Sequence, residues 1–141
     1  IKFEDINSMN RYVRQEAYRQ SKLANLLFGY ELDRRLKEAG SGTLSIVTHP
    51  GITSTNIVKL PFLIEKLKEL VLMNTVKGAL TTIKGAVDPH LTGGEFIGPG
   101  GKGQIFGFPE ILKSGAHSYD KELWARLWEL SEEMTGVRFK I

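Results

Sequence analysis

The sequence predicts a helix-rich α/β fold with few strands, and three observations carry that expectation. Three stretches, beginning near Gln15, Pro61 and Ser118, repeat apolar residues at helical spacing. One short β-branched run, Thr43-Leu44-Ser45-Ile46-Val47-Thr48, reads as a buried strand. The region from Leu91 to Gly107 is dense in glycine and leaves room only for brief strands.

The elements follow in order. Residues 1–14 are polar and lack a period. From Gln15 to Ala39 two adjoining stripes run along one helix: Leu23, Leu26, Leu27 and Tyr30, then Ala24, Phe28, Leu32 and Leu36. That arc is wider than a surface helix needs. One side is therefore expected to face the helix's own sheet and another a neighbouring subunit. Gly40 and Gly42 supply the stop signal. His49-Pro50-Gly51 ends the strand, because proline cannot donate to the ladder and glycine permits a sharp turn. A loop is expected from Ile52 to Leu60. Pro61 suits a first helical turn, and Leu63, Ile64, Leu67, Leu70 and Val71 repeat behind it. Asn74 interrupts, and a further helix runs from Thr75 to Val87, closed by Asp88-Pro89. Glu95-Phe96-Ile97 reads as one short strand and Gln104-Ile105-Phe106 as a second candidate. The last helix is expected to begin near Ser118 as N-cap and to end at Gly136, with Trp124 and Trp128 as core or interface anchors.

Composition bounds the function classes. At 141 residues the chain is one domain's worth, read as a single partial domain over 1–141. Hydrophobic residues at 41% and charged residues at 25% argue against disorder and fibrous repeats. The absence of cysteine excludes disulfides, thiol catalysis and cysteine metal sites, and favours a reducing, cytoplasmic location. The net charge of +3 comes from interspersed signs: Arg34, Arg35 and Lys37 alternate with Asp33 and Glu38, and Lys66 and Lys68 with Glu65 and Glu69. A nucleic-acid footprint needs a basic stripe instead, so no nucleic-acid partner is expected. No apolar run approaches membrane-spanning length. The opening Ile1-Lys2-Phe3-Glu4-Asp5-Ile6 reads as the interior of a longer sequence.

The strongest chemical signal is Tyr18-Arg19-Gln20-Ser21-Lys22. Tyr18 and Lys22 are spaced i, i+4, which puts both side chains on one helix face. A phenol is a poor acid at neutral pH, and a nearby ammonium favours the phenolate. Such a tyrosine can give a proton to a carbonyl oxygen or take one from an alcohol. Alone, the pair is weak, because many helices carry Tyr and Lys four apart by chance.

Its context adds weight. Ala17-Tyr18-Arg19-Gln20-Ser21-Lys22-Leu23-Ala24-Asn25 is followed by the strand, then His49-Pro50-Gly51 and Thr55. This order resembles the short-chain dehydrogenase/reductase family, in the branch of the retinol dehydrogenases, the WW-domain oxidoreductase and protochlorophyllide reductase. Phe3-Glu4-Asp5-Ile6-Asn7, Leu127-Trp128-Glu129-Leu130-Ser131-Glu132 and Thr135-Gly136-Val137 are similar to flanking segments of that branch. The resemblance covers essentially the whole chain. It implies the C-terminal portion of a Rossmann-type, doubly wound parallel sheet.

The resemblance also implies roles. Tyr18 is the catalytic acid/base, and Lys22 tunes it and holds the ribose of a nicotinamide cofactor. Pro50 and Gly51 shape the loop beside the nicotinamide. Ile52 meets the carboxamide through its backbone, and Thr55 contacts the carboxamide or the pyrophosphate. The segment 56–74 binds substrate. The cofactor is NAD or NADP, with NADP favoured, and the substrate a small carbonyl or alcohol. The family's glycine-rich phosphate loop, catalytic serine and structural asparagine have no counterpart here. Ser8 does not follow a strand end and is not assigned the serine's role.

Other patterns fall away. Gly98-Pro99-Gly100-Gly101-Lys102-Gly103 matches G-x-G-x-x-G, but no helix start follows, so it reads as a surface turn. His49, His90 and His117 have no metal-ligand spacing. Nothing in the spacing supports a triad through Ser21. Two expectations remain and can hold together: the Tyr–Lys portion of an oxidoreductase, whose activity belongs to a longer parent while the 141-residue chain alone is expected to be inactive, or a catalytically silent remnant or self-association module unable to bind cofactor alone. In either case a homo-oligomer is expected through helix 15–39, with the Gly94–Ile97 strand as a second contact.

Overall fold

The computed structural model describes residues 1–51 and 75–140. They form three helices, α1 (Arg14–Glu38), α2 (Thr75–Val87) and α3 (Lys121–Thr135). The strands are β1 (Val47–Thr48), β2 (Phe96–Pro99) and β3 (Pro109–Leu112). Short 3-10 turns occupy Phe3–Asp5, Lys102–Gln104 and Ala116–Tyr119. The helix-rich α/β class with few strands holds. The expected loop from Ile52 to Leu60, the helix from Pro61 and the Asn74 break lie outside the described residues. The chain divides into two compact units, residues 1–45 with 114–141, and residues 46–113.

In the first unit α1 packs on α3. α1 starts without a side-chain cap at Val13. Its first turns are instead tied to the preceding chain: the Lys2 backbone N–H donates to Gln20 Oε1 at 2.8 Å, Lys2 Nζ to Glu16 Oε2 at 2.7 Å, and Gln20 Nε2 to the Ile6 carbonyl at 3.1 Å. Within this unit the helix finds its partner in α3 rather than in a strand. Leu27, Tyr30, Leu36, Leu127 and Trp128 are its buried apolar residues. Phe28 stacks on Trp128 with ring centres 4.9 Å apart, and Tyr30 meets Trp124 at 5.4 Å. Both tryptophans thus serve as anchors.

The start of α3 corrects the sequence reading. Ser118 lies in the preceding 3-10 turn, where its Oγ donates to the Gly115 carbonyl at 2.6 Å. That hydroxyl is already engaged, and Asp120 caps α3 by accepting from the N–H groups of Glu122 and Leu123. Gly136 closes α3 in the left-handed conformation at φ 68°.

The second unit is a three-stranded sheet in the order β1-β2-β3 with α2 against it. β1 runs parallel to β2, pairing Val47 with Phe96 and Thr48 with Ile97. β3 returns antiparallel, pairing Ile97 with Ile111 and Pro99 with Pro109. The sheet is therefore mixed, where a parallel one was expected. The strand expected over Thr43–Thr48 contracts to Val47–Thr48, and Ser45 spends its hydroxyl on the Gly29 carbonyl of α1 at 2.8 Å. The second strand candidate, Gln104-Ile105-Phe106, is hairpin tip instead. Positive φ at Gly103, Gln104 and Gly107 turns the chain there, and the Gly101 N–H donates to the Phe106 carbonyl at 2.9 Å. The strand begins only at Pro109, a position that tolerates proline. The glycine-rich stretch from Gly98 to Gly103 thus runs from β2 into a hairpin, with no helix opening at its end.

Among the described residues no group of three or more His, Asp or Glu converges on a metal position. No helix among them is long and apolar enough to cross a membrane.

Candidate functional site

Tyr18 and Lys22 occupy the early part of α1. The helical repeat brings them together: the Lys22 ammonium sits over the Tyr18 ring, 5.5 Å from its centre. Tyr18 is 62% exposed. Its carbonyl accepts the Ser21 hydroxyl at 2.8 Å, which keeps Ser21 within the helix turn and away from triad chemistry. Positions two apart lie about 200° around a helix. Glu16 and Gln20, which hold the N-terminal residues, therefore lie on the other side of α1 from Tyr18 and Lys22. The phenol and the ammonium share a face that the N-terminal segment leaves open.

Pro50 and Gly51 stand in the second unit, at the end of β1. The His49 N–H continues the ladder by donating to the Ile97 carbonyl at 2.9 Å, and Pro50 ends it. Gly51 has φ +72°, and a Cβ there would lie 2.5 Å from the Ile105 carbonyl oxygen and 2.8 Å from Pro99 Cγ. Only glycine fits, on both counts. Ile52 and Thr55 lie outside the described residues.

The sequence reading missed His49 and Gly98. The His49 ring stacks on Phe96 at 5.0 Å and 15°. It also fills the space over Gly98, where a Cβ would stand 2.0 Å from Nε2. Nδ1 accepts the Gly51 N–H at 3.3 Å. Burial pushes the imidazole's pKa down from 6.5, with Gln104 opposing it. The available signal was a ring nitrogen two residues before a glycine, where a side-chain acceptor can reach the i+2 N–H.

No family model matches the chain. Retinol dehydrogenase 14 of Homo sapiens is 35% identical over 144 residues, covering 97% of this chain and 40% of that protein. Polyprenol dehydrogenase of Homo sapiens is 37% identical over 142 residues, covering 97% and 41%. Short-chain dehydrogenase TIC 32 B, chloroplastic, of Brassica napus is 32% identical over 135 residues, covering 93% and 40%. A crystal structure of an uncharacterised protein from Mycobacterium paratuberculosis superposes with a TM-score of 0.78 at 34% identity, covering all of this chain and 47% of that one. The chain belongs to the short-chain dehydrogenase/reductase family. As a member it is an oxidoreductase-family chain, and it spans about 40% of the length of the curated relatives it matches. The Tyr18–Lys22 face and the Gly51 turn are the two features of this short-chain dehydrogenase/reductase segment whose chemistry the described residues expose.

Proposed function

We propose that this chain is the C-terminal, acid/base portion of an NAD(P)-dependent short-chain oxidoreductase that interconverts a small-molecule alcohol and its carbonyl. The observation that carries the reading is the Tyr18–Lys22 pair on an open face of α1, in a chain that resembles dehydrogenases along nearly its whole length. Tyr18 Oη gives its proton to the carbonyl oxygen as the alcohol forms, and takes one from the hydroxyl in the reverse direction. Lys22 supplies positive charge beside the phenol, and its three N–H donors suit ribose hydroxyls.

The residues present fit a nicotinamide cofactor. Gly51 packs its Cα against the Ile105 carbonyl and Pro99, which fixes the turn whose backbone would meet the nicotinamide end. Pro50, Gly51, Ile52 and Thr55 hold the nicotinamide end, Lys22 holds the ribose, and NADP is taken before NAD. When bound, the cofactor supplies or accepts the hydride. The cysteine-free composition supports a reducing compartment, the cytoplasm. A groove of about 380 Å³ lined by Phe28, Leu32, Trp128, Val137 and Phe139 supports self-association through α1 as one partial domain.

A second reading is a silent remnant or association module. It is favoured by the hairpin into which Gly98–Gly103 runs, where no helix opens to receive a phosphate. Titration of the full chain with NADP and NAD, followed by assay with retinol and short alcohols, separates the two. Under the first reading nucleotide binds, and Tyr18→Phe lowers turnover by about 10²–10⁴-fold with nucleotide affinity unchanged. Absence of nucleotide binding favours the second. A monomer in sedimentation removes the association claim.

A further inference from the structure

We propose that His49 is the positioning residue of the Pro50–Gly51 loop, its neutral Nδ1 accepting the Gly51 N–H while the ring is clamped between Phe96 and Gly98. Pro50 has no N–H to give, and Gly51 turns out of the sheet at φ +72°, so its N–H has no strand to meet. A backbone donor left without a partner costs about as much as a lost hydrogen bond. Among the described residues its acceptor is Nδ1, two residues back.

Two contacts from β2 hold that nitrogen in place. The His49 backbone is fixed by its bond to the Ile97 carbonyl at 2.9 Å. The ring lies flat on Phe96 and occupies the space that a side chain at residue 98 would fill. The imidazole therefore cannot swing away without losing both.

The other nitrogen shows that this is more than packing. With Nδ1 accepting, the ring proton belongs on Nε2, which is buried and has no acceptor at full hydrogen-bond geometry among the described residues, Gln104 being the polar side chain that acts on the ring. A phenyl ring would fill the same space without burying an unpaired N–H. The acceptor at Nδ1 is what histidine supplies to the Gly51 N–H and a phenyl ring cannot. The inference rests on the oxidoreductase reading only for what the loop serves, the nicotinamide end of the cofactor.

The test uses the full chain. Heteronuclear NMR of the His49 side chain near neutral pH is expected to show the neutral Nε2–H tautomer; an Nδ1–H tautomer or an imidazolium overturns the proposal. His49→Phe keeps the ring and removes the acceptor. It is expected to speed exchange of the Gly51 amide by about threefold to tenfold, the range of one hydrogen bond's net contribution. His49→Asn removes the ring but restores an oxygen acceptor in the same i to i+2 relation, and is expected to hold exchange within about twofold of the parent. Equal acceleration in both variants, or none in either, overturns the proposal. Should His49→Phe fail to fold, the tautomer of the parent chain still decides. NADP titration of the same variants reads the loop's service: His49→Phe weakens binding by a similar factor and His49→Asn does not. If the parent binds no nucleotide, the oxidoreductase reading fails, while the tautomer and exchange results still judge the loop.

Discussion

Glu31 is fully buried on α1, and Arg35, one turn on, donates its Nε to Glu31 Oε1 at 2.7 Å while its guanidinium lies 4.6 Å from the Trp128 ring centre. Arg34 takes both carboxylate oxygens, donating Nε to Oε2 and a terminal nitrogen to Oε1. One carboxylate thus fixes two arginines, and one of them covers the aromatic anchor of α3. Glu31→Gln keeps the volume and removes the charge. It is expected to lower stability by about 1–3 kcal/mol, since the hydrogen bonds it weakens are charge-assisted. Urea denaturation of the two proteins checks this.

The same cluster sets an acid limit. Burial pushes the Glu31 carboxyl up, but the hydrogen bonds from Arg34 and Arg35 outweigh it and hold its pKa below the ordinary 4.5. A carboxylate with a depressed folded-state pKa contributes stability that is present above the unfolded value and lost as pH falls through the folded one. Melting temperature measured downward from pH 4.5 is expected to drop more steeply for the parent than for Glu31→Gln.

Tyr30 gives an alkaline counterpart. Its hydroxyl is within 2.7 Å of Ser114 Oγ, and its ring stacks on Tyr119 at 5.5 Å. Burial pushes the phenol up to about 12, with the Ser114 hydrogen bond opposing it. The neutral form is favoured in the fold, so its contribution is intact below pH 10 and is lost as pH rises from 10 towards 12. Tyrosinate absorbance against pH is expected to show a late phase that Tyr30→Phe removes.

Trp128 joins α3 to α1 through Phe28 and Arg35, and Phe139 of the C-terminal segment meets it edge-on. Trp128→Ala is expected to cost about 3–5 kcal/mol, the range for emptying a large aromatic site, and Trp128→Phe less. Thermal unfolding followed by circular dichroism reads both.

Gly51→Ala asks a side chain to occupy a left-handed turn 2.5 Å from the Ile105 carbonyl oxygen. A loss of about 1–3 kcal/mol is expected from backbone strain before any displacement of the hairpin. Gly115→Ala is the control, because nothing lies within 4 Å of a Cβ there and its φ of −62° is ordinary. It should stay within about 0.5 kcal/mol of the parent. Equal losses at the two sites would contradict the packing around Gly51.

What could be read from sequence followed the range of the forces involved. The end of α2 at Val87, the Gly136 stop and the Tyr18–Lys22 face depend on neighbours within a turn or two, and all three are legible. The cap of α3 was not. Ser118 and Asp120 are both good capping residues, and the choice falls to Asp120 because the Ser118 hydroxyl is committed in the turn before it. The β-prone Gln104-Ile105-Phe106 lost its strand to a hairpin that needs positive φ at Gly103, Gln104 and Gly107. His49 escaped notice because its use depends on Gly98, a residue of β2 that becomes its neighbour only through the sheet. The expectations for Ile52 and Thr55 fall on residues that the structure does not describe.

The first unit is assembled from two separated stretches of chain, residues 1–45 and 114–141, whereas the second is one continuous run. During synthesis α1 therefore leaves the ribosome long before α3, the helix that covers its aromatic face, has been made. Domains generally form as units while the chain emerges, and contacts between distant stretches come late. The sheet of β1, β2 and β3 has all its residues available first. A chain that ends before Lys121 carries every residue of the sheet but lacks Trp128, and Phe28 then has no ring to stack on.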